Sequence, residues 1–229
     1  MTIRVNAVVE GQTEETFVKR VLAPYLGSVG VYLIARGVET SRHHATVFRG
    51  GVLDYGRVRR DLQRWMSSDN HADCYFTTMI DLDHLPTDFP GSAEARRQSD
   101  PYLRVSLLED ALRADLNHPR FIPYIQLHEF EALVLVDPGV LGAEFDEHQP
   151  AVQRLVRLVQ GFASPELIDD GPETAPSKRI IKELPEYLGR KVSAGPLILE
   201  RIGLPTLRTT CKHFHSWIRK LEALSGEES

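Results

Sequence analysis

The sequence predicts an α/β protein with a mostly parallel four-stranded sheet flanked by helices and a helical lobe at its C-terminal end. Over the first 137 residues, short apolar runs that suit strands alternate with longer amphipathic runs that suit helices. This alternation is typical of a parallel sheet. From residue 138 onward, apolar residues recur at helical spacing between prolines. Residues 138–229 are therefore predicted to form helices that pack on the 1–137 core as one structural unit.

The first predicted βα unit lies at the N-terminus. Ile3–Val9 is an aliphatic run that suits a strand, and a helical pattern of apolar residues begins after Thr13. A hydroxyl residue followed by acids is typical of a helix start. Val29–Ala35 is predicted to be a second strand that pairs with the first. The polar residues 37–51 are predicted to be irregular.

The rest of the core alternates in the same way. Ser99 or Asp100 suits the cap of a helix, and Pro123 indicates an edge position or a bulge in the last strand. Residues 83–99 have the polar, proline-containing composition of a functional or mobile loop. The predicted elements are a helix over Tyr55–Ser67, a strand over Cys74–Ile80, a helix over Pro101–Leu116 and a strand over Phe121–Leu127.

Composition limits the class of protein. Cys74 and Cys211 lie in no metal-binding spacing, which argues against a zinc knuckle or a disulfide framework. No apolar run approaches the roughly 20 residues of a membrane span, and the N-terminus does not resemble a signal sequence, so we expect a cytoplasmic protein with no membrane partner. The formal net charge of -5 argues against a general nucleic-acid coat. The arginine cluster within residues 57–64 matters for nucleic-acid binding only if it borders an acidic site.

Acidic residues stand where the predicted strands end. Glu10 follows the first strand, Asp81 and Asp83 follow the third, and Glu129 and Glu131 follow the fourth. The carboxyl ends of parallel strands face the crevice where open α/β sheets bind ligands, and converging carboxylates suit Mg²⁺ or Mn²⁺. We therefore expect these five acids to form a metal site for phosphoryl transfer.

Structural explanations compete with this hypothesis. Asp81 and Asp83 would also suit a turn before a proline. Glu129 and Glu131 diverge by about 200 degrees if a helix begins there but share a face if the chain stays extended, and the sequence leaves both conformations open. Residues for which a local structural role is expected are Glu14, Glu15, His84 and His128.

Four stretches of the sequence resemble the bacterial domain of unknown function 4276 family. They are VEGQTE from Val9, IDLD from Ile80, HEFEAL from His128, and CKHF from Cys211, which is followed by Trp217. The resemblance spans nearly the whole chain. That family is similar to Toprim (topoisomerase-primase) proteins, including the nuclease halves of the overcoming-lysogenization-defect type.

The resemblance implies a Toprim-like sheet in which one glutamate and a DxD pair meet over Mg²⁺ or Mn²⁺. Glu10 matches the Toprim glutamate, a general acid/base or metal ligand, and Asp81 and Asp83 match the DxD ligands. Glu129 and Glu131 have no counterpart in that comparison and are assigned from their position. The resemblance further implies a nuclease in phage defence that hydrolyses phosphodiester bonds, acts on DNA rather than RNA, and works with an ATPase partner.

Other residues and functions are also candidates. Lys178, in the turn Pro176–Arg179, is a candidate catalytic residue that would stabilise transition-state charge. A phosphatase or phosphotransferase would use the same acids on small phosphate esters, and a toxin would use them on RNA. A non-enzymatic module would instead dock a partner through an apolar C-terminal stripe. The stripe consists of Phe214, Trp217, Ile218, Leu221 and Leu224.

Overall fold

The chain forms a parallel sheet, seen in a computed structural model that describes residues 2–38, 54–168, 171 and 173–226. Its strands are β1 (Ile3–Val9), β2 (Val31–Gly37), β3 (Cys74–Asp81), β4 (Phe121–Ile122) and β5 (Ile125–Gln126). The strand order is β2-β1-β3-β4, and β5 also pairs with β3. Every pair is parallel, which confirms the predicted fold class.

The predicted fourth strand is divided at Pro123. Pro123 has no N–H to donate to a ladder, and β4 ends just before it. The side chain of Thr78 replaces the missing ladder bonds, because its Oγ1 lies 3.0 Å from the N of Tyr124 and 2.9 Å from its O. The chain then pairs with β3 again as β5, so β4 and β5 together occupy the fourth position of the sheet.

Helices surround the sheet. The predicted helices over Tyr55–Ser67 and Pro101–Leu116 are confirmed, and the Asp100 side chain caps the second by accepting from the N–H of Tyr102. The predicted irregular segment lies outside the described residues from position 39 onward. The helices are α1 (Gln12–Phe17), α2 (Ala23–Ser28), α3 (Tyr55–Ser68), α4 (Ser92–Ala95), α5 (Pro101–Leu116), α6 (Glu131–Val134), α7 (Gln149–Val159), α8 (Pro176–Glu183), α9 (Tyr187–Ile202), α10 (Leu204–Thr210) and α11 (Lys212–Glu222).

Some connections are themselves helical. A π-helical turn over Val18–Leu22 joins α1 to α2, and a 3-10 turn over Leu82–His84 follows β3. Among the described residues, none of the helices is both long and apolar enough to cross a bilayer.

The sheet lies between two apolar layers. On one face, Val5 of β1 belongs to a buried cluster that includes Phe17 from the N-terminal helix and Phe214 from α11. On the other face, Val8 belongs to a cluster that includes Leu62 of α3. Successive β1 residues therefore contact opposite layers, as the alternation of side chains in a strand requires. Helices from the C-terminal part of the chain supply much of the first layer.

The C-terminal stripe does not form a docking surface. Trp217 donates from Nε1 to Thr77 Oγ1 at 2.9 Å and stacks on Tyr124 with ring centroids 4.2 Å apart. These contacts attach α11 to the sheet. The members of the stripe that are buried in the core are Phe214, Trp217, Ile218 and Leu221.

Candidate metal centre

Glu10 and Asp81 meet because β1 and β3 are parallel neighbours. Val9 is aligned with Met79 in the ladder, so both strands end at the same edge of the sheet. The N–H of Glu10 donates to Met79 O at 3.2 Å, and the N–H of Asp81 donates to Glu10 Oε2 at 3.2 Å. One strand end therefore orients the carboxylate of the other.

His84 completes this cluster. The 3-10 turn after β3 brings His84 back, so that its Nδ1 donates to Glu10 Oε1 at 2.7 Å and lies 3.8 Å from Asp81 Oδ2. One ligand atom from each of Glu10, Asp81 and His84 lies within 4.8 Å of the others. The sequence predicts only a local role for His84. Its position three residues after Asp81 was the available signal.

Asp83 is not part of this group of three. Asp81 is the last residue of β3, and the chain then turns by about 120 degrees per residue, so Asp83 does not keep the strand orientation that a DxD pair would share. Its side chain is 28% exposed and its Oδ1 lies 3.6 Å from His128 Nδ1. His128 has a φ of 60°, a left-handed conformation that redirects the chain from β5 into α6.

Glu129 lies on the far side of the His84 ring. Its Oε1 is 3.9 Å from His84 Nε2, and its Oε2 accepts the N–H of Ser177 at 2.8 Å. Ser177 lies in the first turn of α8, where unpaired N–H groups favour an anionic partner. Lys178 follows Ser177 and is exposed, so the predicted catalytic lysine lies one residue from a group that binds Glu129.

Glu131 points toward α9 instead. Helical structure begins at this point, with α6 starting at Glu131, so Glu129 and Glu131 contact different partners. Lys191 Nζ lies 3.2 Å from Glu131 Oε1, and the Tyr187 hydroxyl donates to the same oxygen at 3.4 Å. Lys191 was not among the predicted residues. It belongs to none of the motifs, and the packing of α9 on α6 places it here.

Glu14 adds a further buried carboxylate. Its Oε2 accepts the N–H of Gly11 at 2.9 Å and so caps α1. Burial, together with the charges of Glu10 and Glu131, raises the pKa of Glu14 to about 7. Glu14 is therefore both the first-turn acid that the sequence predicted and part of the electrostatics of the site.

The candidate metal centre brings several carboxylates together in a buried environment. Burial, and then the charges of Glu10 and Glu14, raises the pKa of Asp81 well above its ordinary value. The hydrogen bond to Glu10 raises the pKa of His84 to about 9, despite the opposing effect of burial. An imidazolium at His84 therefore offsets part of the charge of these acids at neutral pH.

One oxygen of the cluster has no partner. Asp81 is 4% exposed, and its Oδ1 is buried without a hydrogen bond from any atom of the described residues. A buried carboxylate oxygen without a donor costs folding free energy unless a cation compensates it. Carboxylate oxygens are the ligands that Mg²⁺ and Mn²⁺ prefer, so the donor set fits such an ion.

Comparison with protein-family models assigns the chain to a family. The model described as a domain of unknown function (DUF4276) matches residues 9–222. The chain belongs to the DUF4276 family. This confirms the resemblance carried by the four sequence strings.

The strings of this DUF4276 chain fall into two structural groups. The strings beginning at Val9, Ile80 and His128 supply the acids and histidines of the candidate metal centre. The string beginning at Cys211 contributes Cys211 and Phe214 to the core, and buried Glu166 accepts the N–H groups of His213 at 3.1 Å and Phe214 at 3.0 Å. His213 Nε2 also lies 3.1 Å from the carbonyl oxygen of Ile125 in β5, so the last string fixes α11 against the sheet.

Comparison with solved structures finds two of the C-terminal region of the OLD protein of Xanthomonas campestris pv. campestris. The first is 15% identical to this DUF4276 chain, with 95% of each chain covered and a TM-score of 0.38. The second is 17% identical, with 99% of this chain and 98% of the other covered and a TM-score of 0.35. No curated protein matches the chain.

Proposed function

We propose that this chain is a Mg²⁺- or Mn²⁺-dependent hydrolase of phosphodiester bonds, that is, a nuclease. The observation that carries the proposal is the buried Oδ1 of Asp81, which has no hydrogen-bond donor in the part of the chain that the structure describes and lies at the end of β3, beside the end of β1. Two acids and a histidine converge on this point. The like charges of the two acids repel each other, and a divalent cation would compensate them more fully than the His84 imidazolium does. Such a site suits chemistry on an anionic substrate.

Glu10 and Asp81 would hold the ion, with His84 as a third donor. Imidazole and carboxylate together suit Mn²⁺, whereas Mg²⁺ would favour the carboxylates alone. When bound, a divalent ion polarises a phosphoryl oxygen and stabilises negative charge as the bond to the leaving oxygen breaks. Glu10 is held ready for this role because both of its oxygens are hydrogen-bonded, one to His84 and one to the Asp81 backbone.

The neighbouring residues would set the protonation and orientation of these ligands. His84 lies between Glu10 and Glu129. A His84 ring that does not bind the ion would hold or pass a proton between the two carboxylates, whereas a ring bound through Nδ1 would keep only Nε2 for a proton, on the side of Glu129. Lys191 offsets the charge of buried Glu131. Lys178 remains a proposed stabiliser of transition-state charge. Asp83, on the outside of the turn, and Glu131 remain proposed ligands only for a second ion.

Cleavage assays with matched variants test this proposal. The protein is incubated with linear and circular DNA and with RNA, with Mg²⁺, with Mn²⁺ and with EDTA. We expect metal-dependent cleavage that Glu10→Gln and Asp81→Asn each reduce by at least about 100-fold, a loss of roughly 2.7 kcal/mol of transition-state stabilisation. Asp110→Asn is the matched control, because it removes an exposed carboxylate on α5.

The outcomes separate the candidate functions. Turnover of small phosphate esters without cleavage of any polymer would replace the nuclease by a phosphatase, and cleavage of RNA alone would make it a ribonuclease. Cleavage that Asp81→Asn leaves intact would contradict the proposed site.

The family resemblance extends the proposal to DNA as substrate, to an ATPase partner and to phage defence. Co-purification with an ATPase encoded beside this chain tests the partner. A phage plating assay with wild type and Glu10→Gln tests the biological role, and we expect protection only with wild type. Equal protection by both would separate defence from the metal centre.

A further inference from the structure

A cleft lies between β2 and α3, beside the candidate metal centre. It has a volume of about 280 Å³ and is lined by residues that include Arg36, Asp61, Arg64 and Trp65. A second hollow of about 450 Å³ continues from it over the outer side of α3, and Arg64 lines both. Together they form one track, which we call the β2–α3 cleft.

The β2–α3 cleft is basic. Arg36, Arg60 and Arg64 are exposed and line it, and Asp61 is the acid that lines it with them. Among the described residues that line it, three guanidinium groups stand against one carboxylate, so this part of the cleft is positively charged, although the chain as a whole carries a net charge of -5. The cleft therefore attracts an anionic ligand that much of the remaining surface would repel.

Exposed apolar and aromatic groups continue along β2 from the Arg36 end of the cleft. Tyr32 and Ile34 of β2 are 54% and 55% exposed. They share one side of the strand with Arg36, because side chains two residues apart face the same way. The Arg36 guanidinium lies over the Trp65 ring, 4.5 Å from its centroid. Exposed rings and arginines at one site are the groups on which nucleic-acid bases stack.

The arginine end of the cleft borders the metal centre. Arg36 is aligned with Val8 of β1, and Gly37 is aligned with Val9. Glu10 follows at once, so it lies two residues beyond Val8, or about 7 Å along the strand. A polymer bound along β2 with its phosphates on Arg36 would lead directly toward the Glu10 carboxylate.

We propose that the β2–α3 cleft binds a single-stranded segment of the nucleic-acid substrate and guides it to the metal centre. Arg36, Arg60 and Arg64 bind successive phosphates, and Tyr32 stacks on a base. This inference rests on the proposed nuclease function and assigns its substrate as single-stranded. Tyr32 can stack only on an unpaired base, because a duplex encloses its base faces.

Binding without metal tests the cleft separately from catalysis. A fluorescein-labelled 12-nucleotide DNA is titrated with the full chain in EDTA, where no metal-dependent cleavage occurs. We expect Arg60→Gln/Arg64→Gln to weaken binding about tenfold or more and to lower the salt dependence of log K by about 1.4, at about 0.7 for each lost phosphate contact. Glutamine keeps the helix propensity of α3. Arg113→Gln/Arg201→Gln is the matched control, since both arginines are exposed and lie outside the cleft.

The stacking contact has its own test. Tyr32→Ala should weaken binding at least about fivefold, as expected for the loss of one base–aromatic contact, whereas Tyr32→Phe should bind like wild type. Leu188→Ala is the control for loss of an exposed apolar side chain, because Leu188 is 62% exposed on α9. Thermal melts of each variant establish that it is folded.

Several results would overturn the inference. They are no binding by wild type, equal binding by wild type and the cleft variants, and tighter binding of a 12-base-pair duplex than of the single strand. A further contrary result is a molecular mass in light scattering above that of one chain, since this would assign the edge of β2 to a second copy of the chain. Asp81→Asn should bind the oligonucleotide at least as well as wild type while cleaving nothing. If no protein cleaves but the cleft variants still bind more weakly, the nuclease proposal fails and the binding site stands.

Discussion

Asp81→Asn should stabilise the metal-free protein and abolish its stabilisation by metal. Asp81 is 4% exposed, its Oδ1 has no donor among the described residues, and the carboxylates of Glu10, Glu14 and Glu131 act on its charge. Asparagine has nearly the same shape, carries no charge and offers an N–H₂ group as a donor. The substitution thus removes the buried charge without opening a cavity.

The two expected effects have opposite signs. A buried charged group without its partners costs about 1–3 kcal/mol or more, so the variant should gain about that much in EDTA. For a chain of this length this corresponds to a rise of about 2–12 °C in Tm. At a Mn²⁺ concentration of about 100 times Kd, the free energy of unfolding of wild type should rise by about 2.7 kcal/mol and that of the variant should not change. The Tm of wild type should therefore approach or exceed that of the variant.

Thermal melts in EDTA and along a Mn²⁺ titration measure both effects. Asp110→Asn, which removes an exposed carboxylate, should behave like wild type in both. A lower Tm for Asp81→Asn in EDTA would refute the electrostatic reasoning. Equal stabilisation of both proteins by Mn²⁺ would refute the assignment of the metal ligands.

The pH dependence of the Tm is a second test of the same site. The pKa of Glu14 is raised to about 7 and that of His84 to about 9, so the folded state binds more protons than the unfolded state from about pH 4 upward. The contribution of Glu14 and His84 to the free energy of unfolding is complete below their pKa values in the unfolded state. It is lost as the pH rises through their pKa values in the folded state. Without metal, the Tm of wild type should therefore fall between pH 5 and 9.

Three further predictions concern Glu14, Glu222 and Trp217. Glu14→Gln keeps a hydrogen-bond acceptor for the cap of α1 but cannot ionise, so the metal-free fall in Tm between pH 5 and 8 should become smaller, and an unchanged slope would contradict the raised pKa. Burial opposes ionisation of Glu222, but hydrogen bonds from Arg208 and Tyr25 outweigh it and lower its pKa. Glu222→Gln should cost about 1–2 kcal/mol at pH 7 in urea unfolding. That cost should disappear as the pH falls from about 4.3 through the lowered pKa, and a cost that persists in acid would contradict the ion pair. Trp217→Phe should cost about 2–4 kcal/mol in urea unfolding, because it removes the hydrogen bond to the sheet and leaves a cavity, and a cost below about 1 kcal/mol would contradict its anchoring role.

Local signals in the sequence determined the elements of the core. Ile3–Val9 appears as a strand with the predicted bounds, and Pro101–Leu116 begins and ends where its cap and its periodicity predicted. These signals are readable because hydrogen bonding and side-chain spacing within an element depend on nearby residues. The position of each acid directly after a predicted strand is also a local signal. Together with the predicted parallel sheet, it placed Glu10 and Asp81 at the same end of that sheet.

Tertiary structure decided which side chains share the candidate metal centre. Asp83 and His84 differ by one residue, yet only His84 lies in the group of three, because the turn after β3 rotates each residue away from the last. Lys191 lies more than 100 residues from these two in sequence and reaches Glu131 because α9 packs on α6. The charges that act with burial to raise the pKa of Asp81 belong to Glu10, Glu14 and Glu131, which are distant from it in the chain, so no local pattern encodes their effect.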